Sequence, residues 1–258
     1  MPLNSPIRDW QGRRCWIVGA SSGIGEALAH ALAKRGARVA LSGRRVAALE
    51  MLAASLGPAS LVQPLDVRDG AAFAAAAEAI AGAWGGIDLV VLMAGDYAPM
   101  RAWKIDVDVA RRMIETNLVG AFNALAAVVP RFLAQGAGHV AIVSSVAGYR
   151  GLPQALVYGP TKAALINLAE TLYMDLAPKG LGVTVVNPGF VKTPLTAQNR
   201  FRMPALIEPE EAAREIVAGL ERGAFEIHFP KRFTRVLKLL QLLPARFYFP
   251  LIRKATGL

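Results

Sequence analysis

Seven short apolar runs recur along the chain, separated by longer stretches rich in alanine and leucine. The runs read CWIVGA, ARVALS, LVQPLD, DLVVLMAG, HVAIVSS, GVTVVNPG and FEIHF. Because they are apolar at almost every position rather than at every second one, they are typical of parallel strands buried on both faces by helices. The pattern predicts an α/β fold: a doubly wound, parallel sheet of about seven strands with helices on both faces.

The helical stretches have recognisable ends, whereas one long connection does not fit the pattern. Asp69 precedes the alanine-rich stretch that ends at Trp84, and Pro209 opens a helix; both residue types are preferred at helix N-termini. Residues 188–209 contain prolines and lack periodicity, which indicates a lid over a site. We therefore expect a single domain over residues 1–230, including this lid, followed by an extension over residues 231–258.

Composition excludes several classes of protein. With 258 residues, 54% of them hydrophobic and 19% charged, the chain is too apolar to be disordered and long enough for one packed core. Cys15 lies in an apolar run and is expected to be buried, which fits a reducing compartment. His30, His139 and His228 lack the spacing of metal ligands, so no metal site is predicted. The sequence shows neither a signal peptide nor a long uncharged apolar run, so a cytoplasmic protein is expected.

The net charge of +10 is concentrated in the extension, since residues 231–258 contain seven basic and no acidic residues. Arg235, Lys238 and Gln241 fall on one side of a predicted helix. Its apolar residues fall on the other side, in a stripe formed by Phe233, Val236, Leu237, Leu240 and Leu243. The sequence thus predicts a basic amphipathic helix.

Such a segment allows two interpretations. Basic, aromatic and aliphatic residues together are typical of helices that lie on anionic lipid, which predicts peripheral contact with the inner membrane surface. The same stripe can instead pack on the domain, cover the opening of a site or pair with another subunit. Nucleic acid is disfavoured as a partner, because large aliphatic residues are interleaved with the basic ones.

A glycine-rich turn follows the first predicted strand and opens a helix. It contains Gly19, Ser21, Ser22, Gly23, Ile24 and Gly25. The free N–H groups and the dipole at a helix N-terminus favour a phosphate there, and glycine lets the backbone approach a pyrophosphate. The context predicts a dinucleotide site, although glycines also form ordinary tight turns.

The end of the second strand indicates which dinucleotide is bound. An NAD site usually has an acidic residue about 20 residues after the glycine turn, but Arg44 and Arg45 stand there in this chain. Because a guanidinium offers phosphate a planar pair of donors, NADP(H) is favoured over NAD(H). At least one of the two arginines is expected only to begin an exposed helix. Asp66, after the third run, is a candidate acceptor for the adenine amino group or a cap of the next helix.

Tyr158 and Lys162 are four residues apart, which places both on one face of a helix. A phenol pKa of about 10 is too high for efficient proton exchange at neutral pH, and a nearby cation is expected to lower it. Ser145 ends a strand at the carboxyl edge of the sheet, where its hydroxyl is placed to hold a substrate oxygen. The alternatives are an ordinary exposed Tyr/Lys pair and a turn serine.

Together, the segment GASSGIG, Ser145, the Tyr-x-x-x-Lys pair and Asn187-Pro188-Gly189 resemble the motifs of the short-chain dehydrogenase/reductase family, of the classical type. The motifs occur in the family's order and spacing over nearly the whole chain. The resemblance implies a Rossmann-like fold and association into a homodimer or homotetramer through helices over residues 106–132 and 158–177. The apolar residues expected at that interface are Leu165, Leu168 and Leu172.

The resemblance also implies roles for single residues. Tyr158 would be the general acid/base, Lys162 would lower its pKa and bind the nicotinamide ribose, and Ser145 would orient the substrate oxygen. Asn117 matches an asparagine that supports a water in the family's proton relay; alternatively, it only kinks its helix. Further cofactor contacts are implied for Val67, Ala94, Gly95, Pro188, Gly189, Val191 and Thr193, the last two beside the nicotinamide carboxamide.

Two positions depart from the family's pattern. Val18 replaces the usual threonine, and Leu92-Met93 replace the usual Asn-Asn, but both family features mainly support structure. An apolar substrate pocket is predicted from Tyr97, Tyr149, Phe190, Leu195, Phe201 and Met203. The sequence therefore predicts an NADP(H)-dependent oxidoreductase acting on a small apolar carbonyl or alcohol. The alternative is a non-catalytic NADP(H)-binding sensor.

Overall fold

The computed structural model describes residues 2–199, 201 and 203–257. In this part of the chain, seven strands form one sheet: β1 (Arg14–Val18), β2 (Arg38–Ser42), β3 (Ser60–Val62), β4 (Leu89–Leu92), β5 (His139–Val143), β6 (Gly182–Pro188) and β7 (Glu226–Phe229). All neighbouring strands pair in parallel, in the order β3-β2-β1-β4-β5-β6-β7. The predicted parallel sheet is confirmed.

Helices cover both faces of this sheet. One face packs against α1 (Ile24–Ala33), α2 (Val46–Leu56) and α7 (Pro209–Glu221). The other packs against α3 (Gly70–Trp84), α5 (Gly120–Gln135) and α6 (Tyr158–Leu176). The remaining helices are α4 (Val107–Ile114), which precedes α5, and α8 (Lys231–Gln241) and α9 (Ala245–Thr256), which follow β7. The fold is doubly wound, with one helical layer on each side.

Strand β1 shows why its run is apolar at every position. Cys15 and Ile17 belong to the core on one face of the sheet, and Trp16 and Val18 belong to the core on the other. Successive side chains of a strand point to opposite faces, so a strand covered on both faces favours apolar residues at successive positions. The expected burial of Cys15 is confirmed.

The order of the strands reverses at β1, which has β2 on one side and β4 on the other. The chain runs outwards from β1 to β3 and then crosses back to form β4. At such a reversal, the connections leave the carboxyl ends of the two strands in opposite directions, and a crevice opens between them. The topology thus predicts where a ligand would bind.

One continuous helical segment, Val107–Gln135, is long enough to cross a membrane and contains an 18-residue window with a mean hydropathy of 1.4, judged by length and composition alone. This segment is not a long uncharged run, because Glu115 and Arg131 interrupt it. Its inner side, including Ala124 and Phe132, is buried against the sheet. Packing in the core therefore accounts for its apolar composition.

The three leucines expected at an interface between subunits contact the protein's own core instead. Leu165 is buried in the protein's own core, so its expected place at an interface is wrong, whereas Leu168 and Leu172 are half-buried and pack against that core. They face inwards because α6 lies directly on the sheet. The exposed apolar residues of α5 and α6 include Phe122 and Met174.

The C-terminal extension packs on the domain through α8 and the turn after it. Lys238 forms an ion pair with Glu226 of β7, and Thr234 shares a hydrogen bond of 2.6 Å with His228 of the same strand. The Arg150 guanidinium donates to carbonyl groups at the end of α8, that of Leu243 among them.

The structure does not divide α8 as the predicted amphipathic pattern does. Val236, in the predicted apolar stripe, is 52% exposed, whereas Lys238, on the predicted polar side, contacts Glu226. Their places are exchanged because the surface beneath α8 carries a carboxylate, and an inward cation neutralises it.

A pH dependence of stability follows from His139, which is buried and in hydrogen-bond contact with Thr184 (2.9 Å). Burial lowers the pKa of His139 to about 4, whereas an unfolded histidine has a pKa of about 6.5. Between these values the unfolded chain binds a proton that the folded chain does not, so stability falls as the pH falls through this window. We expect His139 to account for a loss of about 2 kcal/mol between pH 7 and pH 5.

Urea unfolding of the wild type and of His139→Gln at both pH values measures this loss. The variant is expected to lose about 2 kcal/mol less than the wild type. His30→Gln, which changes an exposed histidine, is the control and is expected to behave like the wild type. Equal pH dependence in all three proteins would contradict the assignment to His139.

A second prediction concerns the ion pair beneath α8. Lys238→Met keeps the aliphatic stem but leaves Glu226 without its cation, so the free energy of unfolding at pH 7 is expected to fall by about 1–3 kcal/mol. Lys104→Met, at an exposed position, is the matched control and is expected to change it little. Chemical denaturation measures both variants. Equal stability of both would show that the pair does not fasten α8.

Candidate active site

The turn between β1 and α1 has no room for side chains at its glycines. A Cβ atom on Gly19, whose φ is +100°, would lie 2.7 Å from the backbone nitrogen of Ala94. A Cβ atom on Gly23, whose φ is +60°, would lie 2.8 Å from Cγ2 of Thr193. The turn is therefore packed against the connections that follow β4 and β6, and it directs the N-terminus of α1 towards the space between them.

That space is an open cleft with a volume of about 370 Å³ at the carboxyl ends of the strands. Every residue predicted to contact the cofactor lines it, and so do Ser145, Tyr158 and Lys162. Leu195, predicted in the substrate pocket, also lines it, whereas sequence reasoning missed other lining residues, among them Leu65, Thr116 and Thr196. Leu65 follows β3, Thr116 lies between α4 and α5, and Thr196 lies in the predicted lid, but no residue type marks them as special.

Tyr158 begins α6, Lys162 follows one turn later, and both line the cleft. The Lys162 Nζ atom lies 5.6 Å from the centroid of the Tyr158 ring and donates to the carbonyl of Val143 at 3.0 Å. The Ser145 side chain lies close enough to the Tyr158 hydroxyl to affect its pKa, and the Tyr158 ring meets that of Tyr97 edge-on at 5.0 Å. The two hydroxyls and the ammonium group thus share one wall.

The expectation that Lys162 lowers the pKa of Tyr158 is wrong for this structure. Burial raises the pKa of Tyr158 to about 12, and the hydrogen bond with Ser145 offsets only part of this effect. Burial also lowers the pKa of Lys162 to about 8. The physical reason is that both groups are withdrawn from water, which disfavours the charged form of each, while the ammonium group is directed at Val143.

The start of α6 is held in place by backbone contacts to the segment after β5. The Ser144 hydroxyl donates to the carbonyl of Lys162 at 2.6 Å. A Cβ atom on Gly148 would lie 2.7 Å from the carbonyl carbon of Lys162, so only glycine allows this approach. Local sequence patterns could not reveal this role of Ser144, because its partner is 18 residues away.

Asn117 lies in a π-helical turn, Glu115–Val119, between α4 and α5. Its Oδ1 atom accepts from the backbone N–H of Asp96 (2.6 Å), and its Nδ2 group donates to the carbonyl of Asp96 (2.9 Å) and to the Thr161 hydroxyl (3.1 Å). The side chain is buried and does not line the cleft. Asn117 therefore joins the segment after β4 to α6 through its hydrogen bonds. It makes them from the π-helical turn, where the helix is irregular.

The two arginines after β2 are in different situations. Arg45 donates to the carbonyl of Ser21 at 2.7 Å and to the hydroxyl of the same residue, so it braces the glycine turn. Arg44 is exposed at the mouth of the cleft. The capping alternative for Asp66 is wrong, because Asp69 caps α3 by accepting from Ala72 at 3.0 Å.

Asp66 is paired with Arg68, for which the sequence predicted no role. Arg68 donates to both carboxylate oxygens of Asp66, the shortest distance being 2.6 Å. This hydrogen bonding by the guanidinium lowers the pKa of Asp66 to about 2. The carboxylate therefore stays ionised at the edge of the cleft, with Arg44 adding to the positive surroundings.

Tyr149, expected in the apolar pocket, belongs to a polar network instead. Its hydroxyl donates to Oε1 of Glu226 at 2.8 Å, and the Nδ2 group of Asn187 donates to the same oxygen at 2.9 Å. The Asn187 Oδ1 atom is buried without a partner among the described residues. Sequence patterning could not reveal this network, because its members come from β6, β7 and the segment after β5.

The predicted lid, residues 188–209, is tied to the domain at several points. Ile207 exchanges backbone hydrogen bonds with Phe190 and Lys192, and the Tyr97 hydroxyl donates to Asn199 at 2.9 Å. The Phe190 ring packs against that of Phe201 at 5.7 Å. Positions 200 and 202 of the lid lie outside the described residues.

The glycine cradle and the buried donors suit a nicotinamide dinucleotide. The positive-φ glycines leave backbone where a side chain would block a pyrophosphate, and the first turn of α1 offers its N–H groups to an anion. Gly19 and Gly23 would hold the phosphates, and Lys162 and Tyr158 would face the reactive ring. The residues present therefore fit this cofactor.

Comparison with known proteins agrees with the geometry. A model of the short chain dehydrogenase family matches residues 13–203. An uncharacterized oxidoreductase of Myxococcus xanthus is 39% identical over 235 residues, which cover 90% of this chain and 93% of that protein. One of Staphylococcus haemolyticus is 33% identical over 219 residues, covering 84% of this chain and 95% of that protein.

Solved structures share the fold. A 3-ketoacyl-(acyl-carrier-protein) reductase from Brucella melitensis, complexed with NADH, is 26% identical, with a TM-score of 0.79 over 86% of this chain and 98% of that one. A short chain dehydrogenase/reductase from Burkholderia phymatum, in complex with NAD, has a TM-score of 0.83 over 90% of this chain and 93% of that one, at 24% identity. Because the family match spans most of the chain and its motifs converge in one cleft, the chain belongs to the short-chain dehydrogenase/reductase family of NAD(P)-dependent oxidoreductases.

Proposed function

We propose that the protein interconverts the carbonyl and alcohol forms of a small apolar substrate with NADP(H), and that Tyr158 is the general acid/base. Residues 1–230 are the catalytic domain, with residues 188–209 as a lid. The observation that carries this proposal is that Tyr158, Ser145 and Lys162 face the same cleft as the glycine turn. A proton donor beside a cofactor cradle is the arrangement that hydride transfer requires.

When bound, a nicotinamide cofactor would supply the hydride for the carbonyl carbon. In the direction of reduction, Tyr158 donates its hydroxyl proton to the substrate oxygen, and Ser145 donates a hydrogen bond to the same oxygen. Lys162, with a pKa of about 8, then returns a proton towards the tyrosinate near neutral pH.

Aromatic rings beside these groups support an apolar substrate. The Phe190 ring packs against Phe201 and, at 5.8 Å, against Phe233 of α8, while Tyr97 lies against Tyr158. Such surfaces favour apolar groups, and the few polar groups orient the reacting oxygen. Steroids, fatty acyl compounds and simple ketones have this chemistry, whereas sugar-derived substrates fit less well.

Arg44 supports the preference for NADP(H). It is exposed at the mouth of the cleft beyond β2, and the sequence from Ser42 to Arg45 has no carboxylate for a ribose hydroxyl. Arg45 is engaged with Ser21, so we assign the 2′-phosphate to Arg44. The solved relatives named above hold NADH and NAD, which makes cofactor choice a question for direct measurement.

Association into a homodimer or homotetramer is also part of the proposal. Phe122 on α5 is 51% exposed and Met174 on α6 is 65% exposed. Large apolar side chains on the outer sides of neighbouring long helices favour pairing with another copy.

We expect Tyr158→Phe to lower the turnover number by ~10²–10⁴-fold, because the general acid is removed. NADPH binding is expected to be unchanged. Oxidation of NADPH at 340 nm against a panel of apolar carbonyl compounds measures turnover, and fluorescence titration measures binding. Tyr97→Phe keeps the ring beside Tyr158 and is the matched control, with nearly wild-type turnover expected.

Full activity of Tyr158→Phe would contradict the assignment of Tyr158 as the general acid/base. Tight NADPH binding by the wild type without turnover of any carbonyl compound would favour the sensor instead.

We expect Arg44→Ser to lower the ratio of kcat/KM for NADPH to that for NADH by about 10–100-fold, the value of a hydrogen-bonded charge pair. Arg101→Ser, which changes an arginine that does not line the cleft, is expected to leave the ratio unchanged. Equal use of both cofactors by the wild type, or an unaltered ratio in Arg44→Ser, would refute the assignment.

A further inference from the structure

The two C-terminal helices present large apolar side chains to the outside. Leu239 is 67% exposed and Leu242 is 80% exposed. The exposed apolar residues within this segment are Val236, Leu239, Leu242, Phe247, Phe249 and Leu251. Single exposed apolar residues are ordinary, but a concentration of them marks a contact surface.

Basic residues lie among these apolar ones. The exposed cations of the two helices are Arg232, Arg235, Arg246, Arg253 and Lys254. The sequence contains no acidic residue after Glu226, so this positive charge is not offset within the segment. We call the exposed cations and the exposed apolar residues of α8 and α9 the basic apolar face.

The basic apolar face is held outwards because the inner sides of both helices are fastened. Thr234 and Lys238 contact β7 from the inner side of α8. Tyr248 of α9 is buried and donates to the carbonyl of Gly151 at 2.9 Å, and Arg150 lies 3.9 Å from the centre of its ring.

On α8 the exposed positions recur at the spacing of one helical side. Arg232, Arg235, Leu239 and Leu242, which caps the helix, follow one another at steps of three or four residues, and Val236 lies three residues before Leu239, so they share one side of the helix. This side of α8 is cationic at its N-terminal end and aliphatic over the rest of its length. Such a helix suits a partner surface that is charged on the outside and apolar beneath.

We infer that the basic apolar face binds an anionic lipid surface, with the apolar side chains inserted among the lipids and the cations at the headgroups. Arginine and lysine beside aliphatic and aromatic residues are the composition of helices that lie in a membrane interface. The inference concerns α8 and α9 alone and does not depend on the proposed reaction.

Charge separates this occupant from a second copy of the chain. A twofold symmetric interface would bring the basic apolar face against itself, and its cations would meet cations with no acidic residue between them. An anionic lipid surface supplies the opposite charge over the whole face. A nucleic acid backbone also fits the face poorly, because it offers no apolar surface to the large aliphatic side chains.

Co-sedimentation of the full chain with vesicles tests the inference. Vesicles of phosphatidylcholine with 30% phosphatidylserine are compared with phosphatidylcholine alone, at low and high salt. We expect binding that needs phosphatidylserine and weakens with salt, because screening reduces the attraction of the cations.

Two variants test the two components of the face. Leu239→Gln with Leu242→Gln and, separately, Arg246→Glu with Arg253→Glu are each expected to weaken vesicle binding by ~10-fold or more. The controls are Met51→Gln, at an exposed apolar position on α2, and Arg8→Glu with Arg38→Glu, at exposed positions outside the extension. The charge control changes the net charge equally and is expected to bind nearly as the wild type does.

Three outcomes would overturn the inference. These are no binding to phosphatidylserine vesicles, equal binding by the extension variants and their controls, or a leucine variant that binds vesicles normally but changes the molar mass measured by light scattering. The last outcome would assign the face to a second copy. Far-ultraviolet circular dichroism and thermal unfolding show whether each variant keeps the fold, and NADPH titration reports the cofactor cleft separately.

Discussion

The site depends on the close approach of two backbones where the order of the sheet reverses. The connection after β4 comes so near the glycine turn that a Cβ atom on Gly19 would lie 2.7 Å from the Ala94 nitrogen. This approach closes the floor of the cleft and brings the start of α1 to its edge. Without a side chain at Gly19, backbone N–H groups rather than carbon atoms border the place where a phosphate would lie.

A second set of close contacts keeps ionisable groups out of water. Removing a phenol and an ammonium group from solvent is unfavourable to their charged forms, so their positions must be held by the rest of the fold. Ser144 and Gly148 hold the start of α6 through its backbone at Lys162. The result is a tyrosine and a lysine whose pKa values are moved apart, that of Tyr158 up to about 12 and that of Lys162 down to about 8. Groups in this situation are typical of proton transfer sites.

The extension and the cleft are physically joined. Glu226 accepts hydrogen bonds from Tyr149 and Asn187 and pairs with Lys238, so one carboxylate connects α8 to the strand that precedes Pro188 at the cleft. Phe233 of α8 also packs against Phe190. The inner side of the extension thus contributes to the shape of the substrate region, while its outer side carries the basic apolar face.

Much of the site could be predicted from local sequence. Continuous apolar runs require burial on both faces, and glycines at a strand-to-helix turn require close backbone approach, so the fold and the cradle follow from the chain itself. Tyr158 and Lys162 share a face because four residues make about one helical turn. These properties depend on neighbours within a few positions.

Other features were decided by contacts between distant segments. Lys162 donates to Val143, Asp66 is paired with Arg68, and Lys238 turns inwards to Glu226. Because pKa values depend on desolvation by the packed chain, the raised pKa of Tyr158 could not be inferred from spacing. The sequence by itself determined that the strands are buried on both faces and that Tyr158 and Lys162 share one face of a helix. Only the tertiary structure decided how far these side chains are desolvated and which charges lie near them.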